Sequence, residues 1–240
     1  MNAAAFPAFP PGLWRRIELT PRPGAIASAL EDDVHRFALR LEHDGTRIAA
    51  VHAETIRAPW TECPGASGFL ARELTGELLA NVARRDPYQH CTHLLDLAIL
   101  CAAHAADTAP LRIDLRVADR VEERTTATLH EDGTERMRWL LDDTRIAGPD
   151  GWSGRDLRKL SAWKGELSPR DAERAALLRR AVFVSGARAF EPPPGNLTAD
   201  QGEMRQGVCF NYQLPQAARS TRRANWRRDF SQGGGEPLAD

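Results

Sequence analysis

The chain has 240 residues, of which 42% are hydrophobic and 27% are charged, and its 32 basic and 33 acidic residues give a formal charge of -1. This composition excludes a disordered chain and offers no overall charge for nucleic acid or an anionic membrane. Four cysteines without a Cys-x-x-Cys pair exclude a disulfide scaffold and predict a cytoplasmic protein. No apolar run is long enough to predict a membrane span.

Two stretches of alternating apolar and polar residues predict β-hairpins. The first covers residues 34–57 and the second covers residues 124–141, each with an Asp-Gly pair at its turn. Residues 13–20 and 111–117 alternate as well, and we expect them to be further strands of the same sheet.

Three helices are predicted from periodicity and capping. Four apolar residues spaced by four positions predict a helix over 70–82, and an apolar run predicts a second helix over 92–107 with Thr92 as its N-cap. The third begins at Ser168, where proline and aspartate follow in the first turn, and it ends near Gly186.

These elements predict an α+β fold in which an antiparallel sheet built from two hairpins packs with about three helices. We expect a proline-rich leader with one short strand at residues 1–25 and a single domain over 26–230. Residues 231–240, which are rich in glycine, are predicted to be a flexible tail. The sequence leaves open whether the chain forms a homo-oligomer.

The acidic segment 31–35 leads into the first hairpin and ends in a histidine. Because side chains two apart on a strand share a face, Asp33 and His35 are predicted to point to the buried side with Phe37. An imidazole beside a carboxylate can act as a general base. The alternative is that these polar residues only lead into the strand and that the histidine makes structural hydrogen bonds.

A second polar segment, residues 86–93, stands immediately before the second predicted helix. The free N–H groups at a helix start can lower the pKa of a thiol such as Cys91 or hold an oxyanion, and His93 could act there as acid or base. Tyr88, one of two tyrosines, lies in the same segment. The alternative is a capping segment with a buried thiol.

The other tyrosine, Tyr212, lies in an irregular segment and could donate a hydrogen bond to a substrate. A buried anchor for this part of the chain is the simpler interpretation. The nearby run from Arg219 to Arg228 holds five arginines around Trp226. Since the rest of the chain balances this charge, we expect the run to lie on protein and not on nucleic acid.

Metal binding is an alternative because the chain contains four candidate histidine and cysteine ligands: His90, Cys91, His93 and Cys63. Neighbouring ligands would point apart in extended chain, whereas zinc needs three or four converging ligands. The sequence therefore predicts neither a metal nor a cofactor, and no nucleotide-binding or hydrolase motif is present.

Four strings resemble the DUF2889 family of bacterial proteins, and the resemblance covers about residues 30 to 230. They lie at residues 31–35, 58–66, 91–94 and 207–210; Phe210 stands where the family pattern has tyrosine. The resemblance implies a lyase that releases formaldehyde from the hydroxymethyl side chain of a lignin-derived aromatic dimer of the phenylcoumaran or diarylpropane type.

Such a reaction needs a base for the hydroxyl proton and an electron acceptor, which a para-phenol provides as a quinone methide without any cofactor. We expect Asp33 to orient the base, His35 or His93 to be the base, and Tyr212 to contact a phenolic oxygen. The predicted substrate-binding residues are Trp60, Cys63, Tyr88, Cys91 and Trp139, although core packing is an equal expectation for the two tryptophans.

This hypothesis requires Asp33 and His35 to meet His93, about sixty positions further along the chain, around one shared dry cavity. Two other classes remain alternatives: a metal-dependent enzyme with a His/Cys site, and a non-catalytic module that binds a small ligand.

Overall fold

A computed structural model describes Phe9, residues 11–190, residues 197–202, Met204 and residues 206–239. Residues 1–8 and Pro10 of the predicted leader lie outside the described residues.

The described residues form an α+β fold, which confirms the predicted class. The strands are β1 (Gly12–Arg22), β2 (Ala25–Asp32), β3 (Arg36–His43), β4 (Ile48–Arg57), β5 (Leu111–Ala118), β6 (Arg124–Glu131), β7 (Thr134–Asp142) and β8 (Arg145–Gly148). They form one antiparallel sheet in the order β4-β3-β2-β1-β5-β6-β7-β8. The α-helices of the described residues are α1 (Gly65–Leu74), α2 (Thr92–Ala103), α3 (Leu160–Trp163), α4 (Pro169–Ser185) and α5 (Gln216–Arg219). Short 3-10 helices include Leu79–Arg84, Phe210–Tyr212 and Phe230–Gln232.

The chain divides into two compact units. Unit 1 takes the described residues within Met1–Arg16, Arg112–Glu191 and Asp229–Asp240. Unit 2 takes those within Ile17–Leu111 and Pro192–Arg228. Most of the residues that the sequence singles out for chemistry belong to unit 2.

Both predicted hairpins are confirmed. Strands β3 and β4 pair with Leu39 opposite Ala53, and Asp44 closes their turn by accepting the N–H groups of Thr46 and Arg47 at 2.8 and 2.7 Å. Strands β6 and β7 pair around Asp132 and Gly133, which have φ values of 47° and 81°. Positive φ at both turn positions suits the twist of a two-residue hairpin.

Strand β2 is the main element that the alternation does not predict. It pairs with β3, and its side chains are mostly buried on both faces of the strand. A strand buried on both faces lacks the apolar and polar alternation that marks a half-buried strand. Its three alanines also have low strand propensity.

The predicted helix over 70–82 is wrong in its extent, because α1 ends at Leu74. Gly76 has a φ of 86°, a left-handed conformation that commonly ends helices, and residues 79–84 then form a separate 3-10 helix. In α2, Cys91 and not Thr92 is the N-cap. The start of α4 is confirmed, since Ser168 Oγ accepts the N–H of Asp171 at 3.1 Å.

Unit 1 has an aromatic core. Trp139 on β7 is fully buried, and its ring lies 5.7 Å from Trp152 and 6.4 Å from Trp163 between ring centroids. The segment for which the sequence predicts a flexible tail belongs to this unit, where Ser231 Oγ accepts the N–H of Gly12 at 3.1 Å.

None of the helices in the described part of the chain has the length and apolar composition needed to cross a membrane.

Candidate functional site

The turn between β2 and β3, residues 32–35, is built around the carboxylate of Asp32. Its Oδ1 accepts the backbone N–H groups of Val34 at 2.8 Å and His35 at 2.7 Å, and the Asp32 N–H donates to the carbonyl of His35 at 2.8 Å. Aspartate favours this geometry because its short side chain can bond the backbone two and three residues ahead.

The same oxygen of Asp32 lies 3.2 Å from Nδ1 of His35. The carboxylate bonded to His35 is therefore Asp32, which corrects the expectation that Asp33 orients this imidazole. That expectation assumed a continuous strand through residues 33–35, whereas the turn breaks the alternation there. An imidazole with its proton on Nδ1 donates to Asp32 and carries its lone pair on Nε2.

His93, in the first turn of α2, lies directly against His35. The two ring centroids are 3.9 Å apart with an angle of 30° between the ring planes. Phe37 packs against both imidazoles, at 5.8 Å from His35 and 5.6 Å from His93. The expectation that the two histidines meet is confirmed, but their rings contact each other directly and do not stand on either side of a cavity. We call Asp32, His35 and His93 the triad.

The triad is largely shielded from water but not sealed. The side chains of Asp32 and His35 are 0% and 13% exposed, and His93 is 7% exposed as a residue. A small part of the His35 side chain thus reaches the surface. Removal of water strengthens electrostatic interactions at such a site.

Arg57, at the end of β4, supports the 32–35 turn by hydrogen bonds to its backbone. Its guanidinium donates to the carbonyls of Asp32 (2.5 Å), Asp33 (2.9 Å) and His35 (3.4 Å), and to the carboxylate of Glu31 at 3.1 Å. Glu31 is fully buried as a side chain. A planar guanidinium suits this task because its five N–H donors point in fixed directions.

The C-terminal part of unit 2 also reaches this turn. The N–H of Arg228 donates to the carbonyl of Asp33 at 2.7 Å, and Arg57 donates to the carbonyl of Trp226 at 3.0 Å. The arginine-rich run therefore lies on protein, as the sequence predicts.

Trp60, Tyr212, Arg222 and Trp226 form a second group, which we call the aromatic cluster. The guanidinium of Arg222 lies 3.9 Å from the Trp60 ring centroid and 4.8 Å from that of Trp226, which is cation–π geometry. The Tyr212 ring meets Trp60 edge-on at 5.8 Å. Burial raises the pKa of Tyr212 to about 12, so its hydroxyl is a neutral donor at physiological pH.

Tyr212 is an anchor of this part of the chain, as the simpler interpretation predicts. It is 8% exposed and packs in a small core with Trp60, Ala199 and Ala217, against which Cys63 also lies.

Cys63 and Cys91 are neutral thiols and not activated nucleophiles. Burial raises the pKa of Cys91 to about 12, although the N–H groups of His93 and Leu94 at the start of α2 act in the opposite direction. Burial also raises the pKa of Cys63 far above its usual range. Desolvation thus outweighs the helix start, contrary to the expectation of a lowered thiol pKa.

Two of the predicted substrate-binding residues lie elsewhere. Tyr88 is 60% exposed, and its carbonyl accepts the side-chain amide of Gln213 at 2.6 Å. Trp139 lies in the core of unit 1.

His90 is a buried histidine whose Nδ1 has no hydrogen-bond partner in the described residues. Its ring packs on Phe69 at 5.1 Å, and burial lowers its pKa. The unfolded chain then binds the proton more readily than the folded chain, so this histidine lowers stability as the pH falls through about 6.5.

We therefore expect His90→Phe to make unfolding less sensitive to acid. Urea midpoints measured at neutral and mildly acidic pH should differ less in this variant than in the wild type. His52→Ala, which removes a histidine with a 63% exposed side chain, is the matched control for the loss of a histidine from the surface. An identical pH dependence in His90→Phe and wild type would contradict the assignment.

The triad is also a group with metal-ligand chemistry. Asp32, His35 and His93 each offer one ligand atom, and these atoms all lie within 4.8 Å of one another. The set suggested by the sequence, His90, Cys91, His93 and Cys63, does not form such a group, although all four residues are described.

No protein-family model and no curated protein matches the chain. The triad is therefore the main basis for a functional proposal.

The sequence places Asp32 in the acidic segment 31–35, but the expected strand alternation assigns the orienting role to its neighbour Asp33. The signal for Asp32 was the spacing to Val34 and His35, which is typical of an aspartate that closes a turn. Arg57 was missed, yet the hairpin register places it opposite Arg36, at the same end of the sheet as the 32–35 turn.

Proposed function

We propose that the chain is a cytoplasmic acid–base enzyme, a carbon–carbon lyase that releases formaldehyde from the hydroxymethyl side chain of a small lignin-derived aromatic compound. The observation that carries this proposal is the contact of His35 with both Asp32 and His93. The resemblance of the motifs to the DUF2889 family supplies the substrate class.

The proposed reaction on a phenylcoumaran needs no external oxidant or reductant. The para-phenol gives up its proton and becomes a quinone methide, while the departing ring oxygen takes up a proton and leaves as a phenol. A base then takes the proton of the side-chain hydroxyl, the carbon–carbon bond breaks, and formaldehyde leaves. The electron pair of that bond forms a double bond between the two aromatic rings and turns the quinone methide back into a para-phenoxide. The base finally returns its proton to this phenoxide.

The triad supplies the groups that this sequence of steps requires. Asp32 holds the proton on Nδ1 of His35, so that Nε2 can accept the hydroxyl proton and later donate it. Asp32 also stabilises the imidazolium that forms. His93, in ring contact with His35, is the second group for proton transfer, at the opening phenoxide.

Tyr212 and Trp60 are proposed to contact the aromatic substrate. The indole N–H of Trp60 donates a hydrogen bond to the Tyr212 hydroxyl oxygen. The hydroxyl proton of Tyr212 can then be donated to a phenolic oxygen of the substrate. The face and edge of Trp60 suit an aromatic ring, although Arg222 already covers one face.

The direct test is to incubate the purified chain with phenylcoumaran- and diarylpropane-type dimers and to measure formaldehyde. We expect His35→Ala and His93→Ala each to lower kcat by about 10²–10⁴-fold, the usual contribution of a general acid or base. Far-ultraviolet circular dichroism should show that both variants fold.

His52→Ala is the matched control, because His52 is an exposed histidine of the same unit, and it should keep full turnover. Full turnover in both His35→Ala and His93→Ala would overturn the assignment of roles. A compound that raises the melting temperature but is never consumed would favour the non-catalytic binding module instead.

A further inference from the structure

The triad combines two imidazoles and one carboxylate from distant parts of unit 2. Asp32 ends β2, His35 lies in the turn before β3, and His93 lies in the first turn of α2. Ligands drawn from separate structural elements can converge on one ion, which neighbours in extended chain cannot. Of the described residues, this is the set of three that offers metal-ligand atoms within one small volume.

The separations suit a transition-metal ion. Bonds of about 2.0–2.2 Å to nitrogen and oxygen place two ligand atoms of a tetrahedral ion about 3.4 Å apart. Asp32 Oδ1 and His35 Nδ1 are 3.2 Å apart, and the ligand atoms of all three residues lie within 4.8 Å of one another. The His35 and His93 rings lie nearly face to face, with centroids 3.9 Å apart and 30° between their planes, so at least one ring has to turn for both lone pairs to point at one ion.

The surroundings orient the carboxylate and enclose the two imidazoles. Two backbone N–H groups bind the Asp32 carboxylate, and Phe37 packs on both imidazole rings. Hydrogen bonds to a ligating carboxylate and a surrounding apolar shell orient the ligands of protein metal sites.

We propose that Asp32, His35 and His93 form a binding site for a divalent first-row transition metal, with Zn²⁺ as the expected ion. Imidazole and carboxylate ligands suit zinc, and three protein ligands leave the fourth position for water or substrate. The site goes beyond the proposed lyase reaction and rests on geometry alone. A bound ion takes the lone pairs of the imidazoles, so zinc inhibits an acid–base reaction at the triad.

The test uses the full chain after treatment with a chelator and titrates it with Co²⁺, a spectroscopic probe for zinc sites. We expect one ion per chain, visible absorption bands of bound Co²⁺, and displacement by Zn²⁺ in calorimetry. His35→Gln, His93→Gln and Asp32→Asn should each weaken binding at least about tenfold, since even loss of residues that only orient ligands costs this much. Zn²⁺ should raise the melting temperature of the wild type but not of these variants.

His52→Ala is again the control, because His52 also stands beside a carboxylate, 3.5 Å from Glu42, but on the surface; it should bind Co²⁺ as the wild type does. Absence of binding to the wild type would overturn the proposal, as would a sulfur-to-cobalt charge-transfer band, which would place the ion on the cysteines. Binding without formaldehyde release from any substrate would overturn only the lyase proposal. Formaldehyde release without metal binding would overturn only the metal site.

Discussion

Asp32→Asn is expected to lower kcat for formaldehyde release by about 10²–10⁴-fold while the 32–35 turn keeps its shape. Asparagine has the same size, and its amide oxygen can still accept the N–H groups of Val34 and His35 that Asp32 accepts at 2.8 and 2.7 Å. What is lost is the negative charge that selects the Nδ1 tautomer of His35 and stabilises its imidazolium.

The measurement is kcat and KM for a dimer that the wild type consumes, together with the melting temperature. The matched variant is Asp33→Asn, which changes the adjacent and equally buried carboxylate and should lower kcat less than Asp32→Asn does. The opposite ranking, with Asp33→Asn the more damaging, would restore the sequence-based assignment and remove Asp32 from the reaction.

Arg57→Met is expected to destabilise the fold by about 3 kcal/mol, at the lower end of the range for removing one partner of a buried ion pair. Arg57 is 11% exposed, its partner Glu31 is 0% exposed as a side chain, and four backbone carbonyls lose a donor at the same time. The loss is not larger because Arg36 and Arg228 remain 3.8 and 3.4 Å from the Glu31 carboxylate.

Urea unfolding measures this change, and Arg40→Met provides the control. Arg40 lies on β3 and is 57% exposed beside Glu42, so its loss should cost no more than about 1 kcal/mol. Adding Glu31→Gln to Arg57→Met should cost less than the sum of the single changes, because the buried charge is then gone. If the free energies of unfolding of Arg57→Met and Arg40→Met agree within experimental error, the guanidinium of Arg57 does not support the turn.

The parts of the fold that were predictable from sequence are those with local causes. The hairpins carry their own turn residues, as Asp132 and Gly133 show, and α4 carries its own cap at Ser168. Strand β2 was not predictable in the same way, because its burial on both faces depends on the packing of the elements around it.

The site was predictable only in part. The contact of His35 with His93 was expected because His35 immediately precedes a strand and His93 lies in the first turn of a helix. The choice between Asp32 and Asp33 needed the turn geometry, and a single break in alternation reverses which side chain faces the imidazole. The link from Arg57 to Trp226 spans 169 positions, and no local pattern encodes such a contact.

This long-range hydrogen bond has a consequence for folding during translation. The ribosome makes Trp226 long after it has made Arg57 and the turn that Arg57 holds, and Arg228, which bonds the same turn, is made later still. A nascent chain can therefore pair its first strands early, but the turn gains its full set of hydrogen bonds only after synthesis has passed this segment. The turn that carries Asp32 and His35 is then fully supported only once residues 226–228 have been made.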